Sequence, residues 1–355
     1  MSVVLDVKLD TCAVGWPWSR QTPGGHLQWG GMRFAVDHAR QQSDAWVVFE
    51  ELANEQTVLC PADRTVFICG EPDSIGVYPE EFLAQFHWVI SGRDDLRHPR
   101  QIRLQQGHPW FVEKSFDELA AMTSVPKTRS VCVVSSDKAF TEGHRERLRF
   151  VDALREGLGG AIDVWGRGIR DFERKWDLLA DYRYAVVLEN FAGPDFLTEK
   201  LADALFAFCV PLYHGCTNLG RYFDATSSVI PVDLQDAKGT VDLLRRLIAD
   251  PTDYERRLPG LIDAREWYLR HGQFFANLAA ALQVVVGLSR REAEPITLRP
   301  RRAFSAARSE VEPMGAASSV GQETVLRAGG SGWRRFWKGL RGGGANGPGA
   351  GDGEQ

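Results

Sequence analysis

The stretch that decides the fold runs from Tyr182 to Asp233 and reads YRYAVVLENFAGPDFLTEKLADALFAFCVPLYHGCTNLGRYFDATSSVIPVD. Tyr184 to Leu188 is a continuous apolar run, the signature of a strand that a parallel sheet buries on both faces. A loop with Gly193-Pro194 follows. Next comes a helical pattern from about Asp195 to Phe208, with Leu197, Leu201, Ala204 and Phe208 on the core side, and then a strand over Cys209–Tyr213. Upstream, Ser130–Val134 is a second continuous apolar strand. It leads into a charged helix over His144–Gly157, a strand over Ala161–Trp165 and a short helix around Phe172–Ala180. Downstream, Val229–Val232 reads as a strand, Gly239–Ala249 as a helix, and Pro251 to about Gly287 as a Leu- and Arg-rich helical segment. Strand-helix alternation of this kind predicts a doubly wound parallel sheet. The N-terminal part predicts buried strands at Ala45–Phe49, Thr65–Cys69 and His87–Ser91, and a helix within Gly30–Gln42.

The whole chain has 355 residues, too many for one ordinary core and suited to two domains with extras. Forty-two Lys and Arg against 47 Asp and Glu give a net charge of -5, which disfavours a general nucleic-acid binder. No apolar run approaches the ~18 residues of a membrane span. Charged Asp6, Lys8 and Asp10 stand where a signal peptide needs an apolar stretch, so the expected location is the cytoplasm. The cysteines (Cys12, Cys60, Cys69, Cys132, Cys209 and Cys216) form no CxxC pair and mostly sit in apolar runs, as small buried hydrophobes do. The histidines show no zinc-ligand spacing, and no metal site is expected.

Chemistry concentrates where the decisive strand ends. Glu189 and Asn190 sit at its carboxyl end, where open α/β sheets bind ligands. Thr198, Glu199 and Lys200 fall in the first turn of the next helix. A helix N-terminus with an added cation suits an anion such as a phosphate. Lys200 opposes the helix dipole there, a local conflict that points to function. Taken alone, Glu199 and Lys200 also fit a solvated helix face.

These residues resemble the donor-binding signature of the family 10 glycosyltransferases, the α-1,3/1,4-fucosyltransferases. The matching positions are Tyr182-Arg183-Tyr184, Glu189-Asn190, Phe196, Thr198-Glu199-Lys200, Asp203-Ala204, Val210-Pro211 and Gly215. The resemblance implies a GT-B fold, two Rossmann-like domains facing across a cleft, with GDP-fucose held mainly by the second. It implies that Glu199 bonds the ribose hydroxyls, that Lys200 contacts the diphosphate and that Asn190 lies against the fucosyl or phosphate part. Phe196 takes a position that is usually Tyr, which removes a hydroxyl. Arg147, in Arg147–Leu154, resembles the family's diphosphate-contacting arginine, although Arg145, Arg147 and Arg149 also read as a solvated face. Ile162–Gly168 resembles a further family segment, so Gly166, Arg167 and the following Lys175 join the expected donor site. Thr65–Pro72 ends in Gly70-Glu71-Pro72 and resembles the strand that carries the family's general base; Glu71 is that match. Glu50 and Glu51 form a weaker competing pair.

The resulting expectation is an inverting transferase that moves L-fucose from GDP-fucose to a hydroxyl of a glycan or glycolipid acceptor. The product would be α-linked, with no permanently bound cofactor and no essential divalent metal. The same scaffold with another nucleotide sugar, or a non-catalytic glycan- or membrane-surface binding protein, stands as the alternative. Expected domains are 1–125 for the acceptor side, 126–288 for the donor side with closing helices, and 289–330 as a flexible linker. A basic amphipathic helix over 331–341 and a Gly-rich disordered tail over 342–355 complete the chain. In that helix Trp333, Arg334, Arg335, Phe336, Trp337 and Lys338 combine cations with an apolar face, as interfacial membrane anchors do. The expectation is a cytoplasmic protein with peripheral contact to the inner face of the membrane through this stripe; docking of the stripe on its own domain is the alternative.

Overall fold

The computed structural model describes residues 4–135, 137, 139, 141–166 and 168–304. The first sheet comprises β1 (Leu5–Thr11), β2 (Gln28–Trp29), β3 (Met32–Val36), β4 (Ala45–Phe49), β6 (Thr65–Ile68), β7 (Trp88–Ile90) and β8 (Gln101–Ile102). Their order is β2-β3-β1-β4-β6-β7-β8, parallel throughout except for the β2–β3 hairpin. A separate hairpin-like strand, β5 (Gln56–Pro61), lies outside this sheet. The second sheet comprises β9 (Arg129–Val134), β10 (Asp163–Trp165), β11 (Tyr182–Gly193), β12 (Val210–Cys216) and β13 (Ile230–Pro231). It runs β10-β9-β11-β12-β13, all parallel, so its topological switch point lies between β9 and β11.

Eight α-helices accompany the sheets among the described residues: α1 (Glu80–Leu83), α2 (Phe116–Ala121), α3 (Glu142–Leu158), α4 (Lys175–Leu179), α5 (Glu199–Phe206), α6 (Ala237–Ala249), α7 (Asp253–Trp267) and α8 (Phe274–Leu288). No single one is long and apolar enough to cross a membrane. Continuous apolar runs became buried strands as expected; all five residues of β4 are buried. Five of the six cysteines are buried and Cys12 is half-buried.

Three expectations fail for identifiable reasons. Gly30–Gln42 holds no helix. Gly30 and Gly31 both take positive φ, +58° and +80°, and turn β2 tightly into β3. A Gly-Gly pair between apolar runs is a two-residue hairpin signal, and here it outweighs helical spacing. Nor does the donor side run from 126 to 288. Trp110, Val112 and Phe116 already belong to the second lobe's core, with Trp110 edge-on to Phe206 at 5.2 Å. At the other end, α8 returns to the first lobe. Its Phe274, Phe275, Leu278 and Leu282 pack with Val7, Leu9, Phe34 and Val47. The first sheet has few crossover helices of its own, so it needs this late helix to cover a face. Finally, 289–304 is not a linker: β14 (Ala293–Leu298) pairs antiparallel with β5, and Leu298 is buried. The strand has few apolar side chains, and backbone pairing is what holds it. Residues 305–330, the basic stretch 331–341 and the Gly-rich tail 342–355 lie outside the described residues.

The chain therefore crosses between lobes twice, and the two crossings are tied. Gln105 donates its Nε2 to the Gly272 carbonyl at 2.7 Å, and Asn277 Nδ2 donates to the Gln105 carbonyl at 2.6 Å.

Candidate active site

Both sheets point the carboxyl ends of their strands at one cleft. Gly70, Glu71, Ser91–Asp95 and Gln106 line it from the first-lobe side, and Phe191, Pro194, Asp195 and Phe196 from the second. Its volume is about 240 Å³. The lobes touch directly here: a Cβ on Gly92 would fall 2.6 Å from the Cβ of Asp195. Asp195 sits at φ +59° and is held by Arg221 at 3.0 Å and Tyr222 Oη at 2.5 Å.

On the second lobe, Glu189 is buried within β11, just after Leu188, where the regular pairing with β12 breaks. It accepts from the Thr198 hydroxyl at 2.6 Å and from Lys200 Nζ at 2.9 Å. Thr198 in turn caps α5, accepting from the Lys200 backbone N–H at 3.3 Å. Lys200 also lies 3.4 Å from Glu199. Burial disfavours its ammonium, but Glu189 and then Glu199 outweigh that and hold it protonated beyond its ordinary range. Burial likewise pushes Glu199 up, while Lys200, Lys175 and His108 pull it down more strongly, to about 2. The conflict at Lys200 is thus resolved by two carboxylates. Arg147 on α3 is buried and feels the Glu189 charge. Its helix packs tightly on the end of β11, since a Cβ on Gly143 would fall 2.3 Å from the Asn190 carbonyl oxygen. Arg147 and Glu189 therefore flank the β9/β11 switch point. Phe196 is buried edge-on to Phe191 at 5.3 Å, so its ring is used for packing at the cleft wall.

Two expected donor residues are engaged elsewhere. Lys175 Nζ is spent on Asp203 at 2.6 Å. Asp203 also accepts from the Phe111 backbone N–H at 2.8 Å, so this pair braces α5 against the interlobe segment. Gly166, at φ +142°, makes its close approach to the chain itself: a Cβ would fall 1.7 Å from the Ser135 carbonyl oxygen. Arg167 lies outside the described residues.

On the first lobe, Glu71 follows β6 and is half-buried at the cleft. Desolvation, then the charge of Glu50, pushes its carboxyl well above its ordinary value, with Lys200 opposing. Lys200 and Glu199 belong to the other lobe, so the base candidate and the donor candidates already share one field. The sequence reads His108 as a surface or satisfied core group, with a place on the acceptor side as the alternative. It is buried between the lobes, with Nε2 3.1 Å from the Gly70 carbonyl oxygen and Nδ1 3.8 Å from Glu199. Burial, against the Glu199 charge, lowers its pKa to about 4. No local motif marks it, because its two neighbours come from different lobes.

Residues 124–258 match the C-terminal domain of glycosyltransferase family 10 (fucosyltransferase). This span holds Arg147, Glu189 and Thr198–Lys200 in the arrangement just described. Residues 124–258 are thus similar to a family 10 glycosyltransferase domain. An alpha-(1,3)-fucosyltransferase of Helicobacter pylori is 27% identical over 106 residues, 28% of this chain and 22% of that protein. A human 3-galactosyl-N-acetylglucosaminide 4-alpha-L-fucosyltransferase is 29% identical over 113 residues, 30% of this chain and 31% of that protein. The chain thus matches under a third of the length of these curated relatives. A solved alpha1,3-fucosyltransferase structure with GDP shares 16% identity and a TM-score of 0.51, covering 81% of this chain and 92% of that one. That likeness is one of fold. It covers both lobes, so the family 10 domain is the second half of a GT-B arrangement.

Proposed function

We propose that this protein is an inverting fucosyltransferase that uses GDP-fucose as donor and a glycan or glycolipid hydroxyl as acceptor. The family 10 match across the donor lobe supports the donor class. The observation that carries the reaction is that Glu71, at the cleft, lies within reach of the Glu199 and Lys200 charges of the other lobe, with His108 bridging the Gly70 carbonyl and Glu199 between them. In the reaction, the acceptor oxygen forms a bond to the anomeric carbon of fucose as its proton passes to Glu71. The bond from that carbon to the β-phosphate oxygen breaks, and GDP leaves with the electron pair. Inversion of a β-linked donor gives an α-fucoside. Lys200 and Arg147 neutralise the charge that builds on the diphosphate, and Glu199 holds the ribose hydroxyls. A carboxyl whose proton affinity is raised by burial makes a stronger base near neutral pH.

The test is a mass-resolved product assay with GDP-fucose and a small glycan panel, alongside GDP-mannose and UDP-sugars. Fucosylated product with released GDP supports the reading. Product from a different donor alone replaces fucose with that sugar, and donor binding without GDP release replaces catalysis with binding.

The membrane proposal rests on the sequence of 331–341, with Trp333, Phe336 and Trp337 among the cations. Deleting 331–355 is expected to abolish binding to anionic liposomes and to spare activity on soluble acceptor. Unchanged liposome binding refutes it.

A further inference from the structure

Glu50 follows β4 directly, at the point where the strand order of the first sheet reverses between β1 and β4. It is buried, and its backbone takes φ +66°, a region that a non-glycine residue enters only when its surroundings hold it there. The side chain turns under the next strand end. One carboxylate oxygen accepts from the backbone N–H of Gly70, from that of Glu71 at 3.0 Å and from Tyr78 Oη at 2.6 Å. Glu50 therefore grips the peptide that presents the base candidate.

Two cations lie over the Tyr78 ring, Arg93 at 5.4 Å and a second from the chain's later part. Arg301 stacks over the Tyr78 ring at 5.1 Å. Its backbone N–H donates to Glu51 at 3.2 Å and its guanidinium lies 3.5 Å from the Glu51 carboxylate. Its charge reaches both Glu50 and Glu71. Arg301 stands just after β14, in the segment that returns to pair with β5 and lies outside the family 10 match.

We propose that Glu50 and Arg301 are positioning residues: Glu50 seats the Gly70–Glu71 peptide, and the two opposite charges set the electrostatic field at the Glu71 carboxylate. This rests on Glu71 as the base. Other groups face the same carboxylate. Glu199 and Lys200 do so from α5, and the Cys12 thiol from the end of β1. Arg93 donates to the Glu71 carbonyl at 3.2 Å, and His108 contacts the Gly70 carbonyl. All of these groups are retained when Glu50 or Arg301 alone is replaced.

The sign of each effect follows from charge. Glu50→Gln keeps an oxygen to accept the same three hydrogen bonds and removes an anion, so the Glu71 carboxylate becomes easier to form. Arg301→Gln removes a cation, so it becomes harder to form. The experiment is a carboxyl titration of Glu71 in the full chain by carbon-13 NMR with labelled glutamate. Loss of the signal in Glu71→Gln assigns it, and melting temperatures monitor the fold. The midpoint is expected to move down by about one pH unit in Glu50→Gln and up in Arg301→Gln, with Arg301→Lys near the wild type. The acid limb of kcat/KM with GDP-fucose should follow the same order. Unmoved midpoints in folded variants, or shifts of the same sign in both, overturn the proposal. Failure of the base assignment shows separately, as undiminished turnover in Glu71→Gln.

Discussion

At the residue scale the site is a set of charges that neutralise one another before any ligand arrives. Lys200 lies between Glu189 and Glu199, and Glu71 feels Lys200 across the cleft. Glu71→Gln is expected to lower turnover at least ~100-fold with the melting temperature held, as loss of an essential proton acceptor does. Lys200→Gln is also expected to cost ~100-fold or more in kcat, measured by GDP release, since groups that stabilise transition-state charge are commonly worth about 3 kcal/mol. It should destabilise the fold as well, because buried Glu189 loses its lysine partner. His108 gives a pH prediction. Its folded pKa of about 4 lies below its ordinary 6.5, so the folded state resists the proton that the unfolded chain takes up. Stability is therefore lost as pH falls from about 6.5 toward 4. Melting temperatures of His108→Gln should fall less over that window than those of the wild type.

At the element scale the loop after β11 and the loop after β7 meet with no room to spare. Gly92 faces Pro194 and Asp195, and a Cβ there would lie 3.0 Å from the Pro194 carbonyl oxygen. Gly92→Ala should force the loops apart. The expected result is weaker donor binding by calorimetry with near-native circular dichroism, and unchanged donor affinity would contradict the tight meeting of the lobes. Helix α8 matters in a different way. Phe275 is buried in the first lobe although the chain reaches it only after completing the second. Phe275→Ala should cost about 3–5 kcal/mol in denaturant unfolding, the price of emptying an aromatic core position.

At the scale of the whole molecule, two crossings join the lobes and β14 returns to the first of them. Removing 293–304 in addition to the tail should lower stability through the lost β14–β5 pairing and the uncovered Leu298 contact. Ending the chain after residue 304 should not. A melting temperature equal for both truncations would show that β14 contributes nothing.

Much of the second lobe was legible in the sequence. Its strands are continuous apolar runs, and most of its candidate donor residues fall in one short stretch, Glu189 to Lys200, so local order carries the fold and much of the candidate site. The base candidate was legible as well, as a carboxylate ending a strand. What tertiary structure alone decided is where distant segments land. Nothing local tells that Lys175 pairs with Asp203, that His108 spans Gly70 and Glu199, or that Arg301 reaches Tyr78. The same holds for α8 and β14, whose own patterns fit a helix and a polar segment in either lobe. Periodicity along a chain records which side of an element is buried, but the surface that buries it is chosen by packing between elements far apart in sequence.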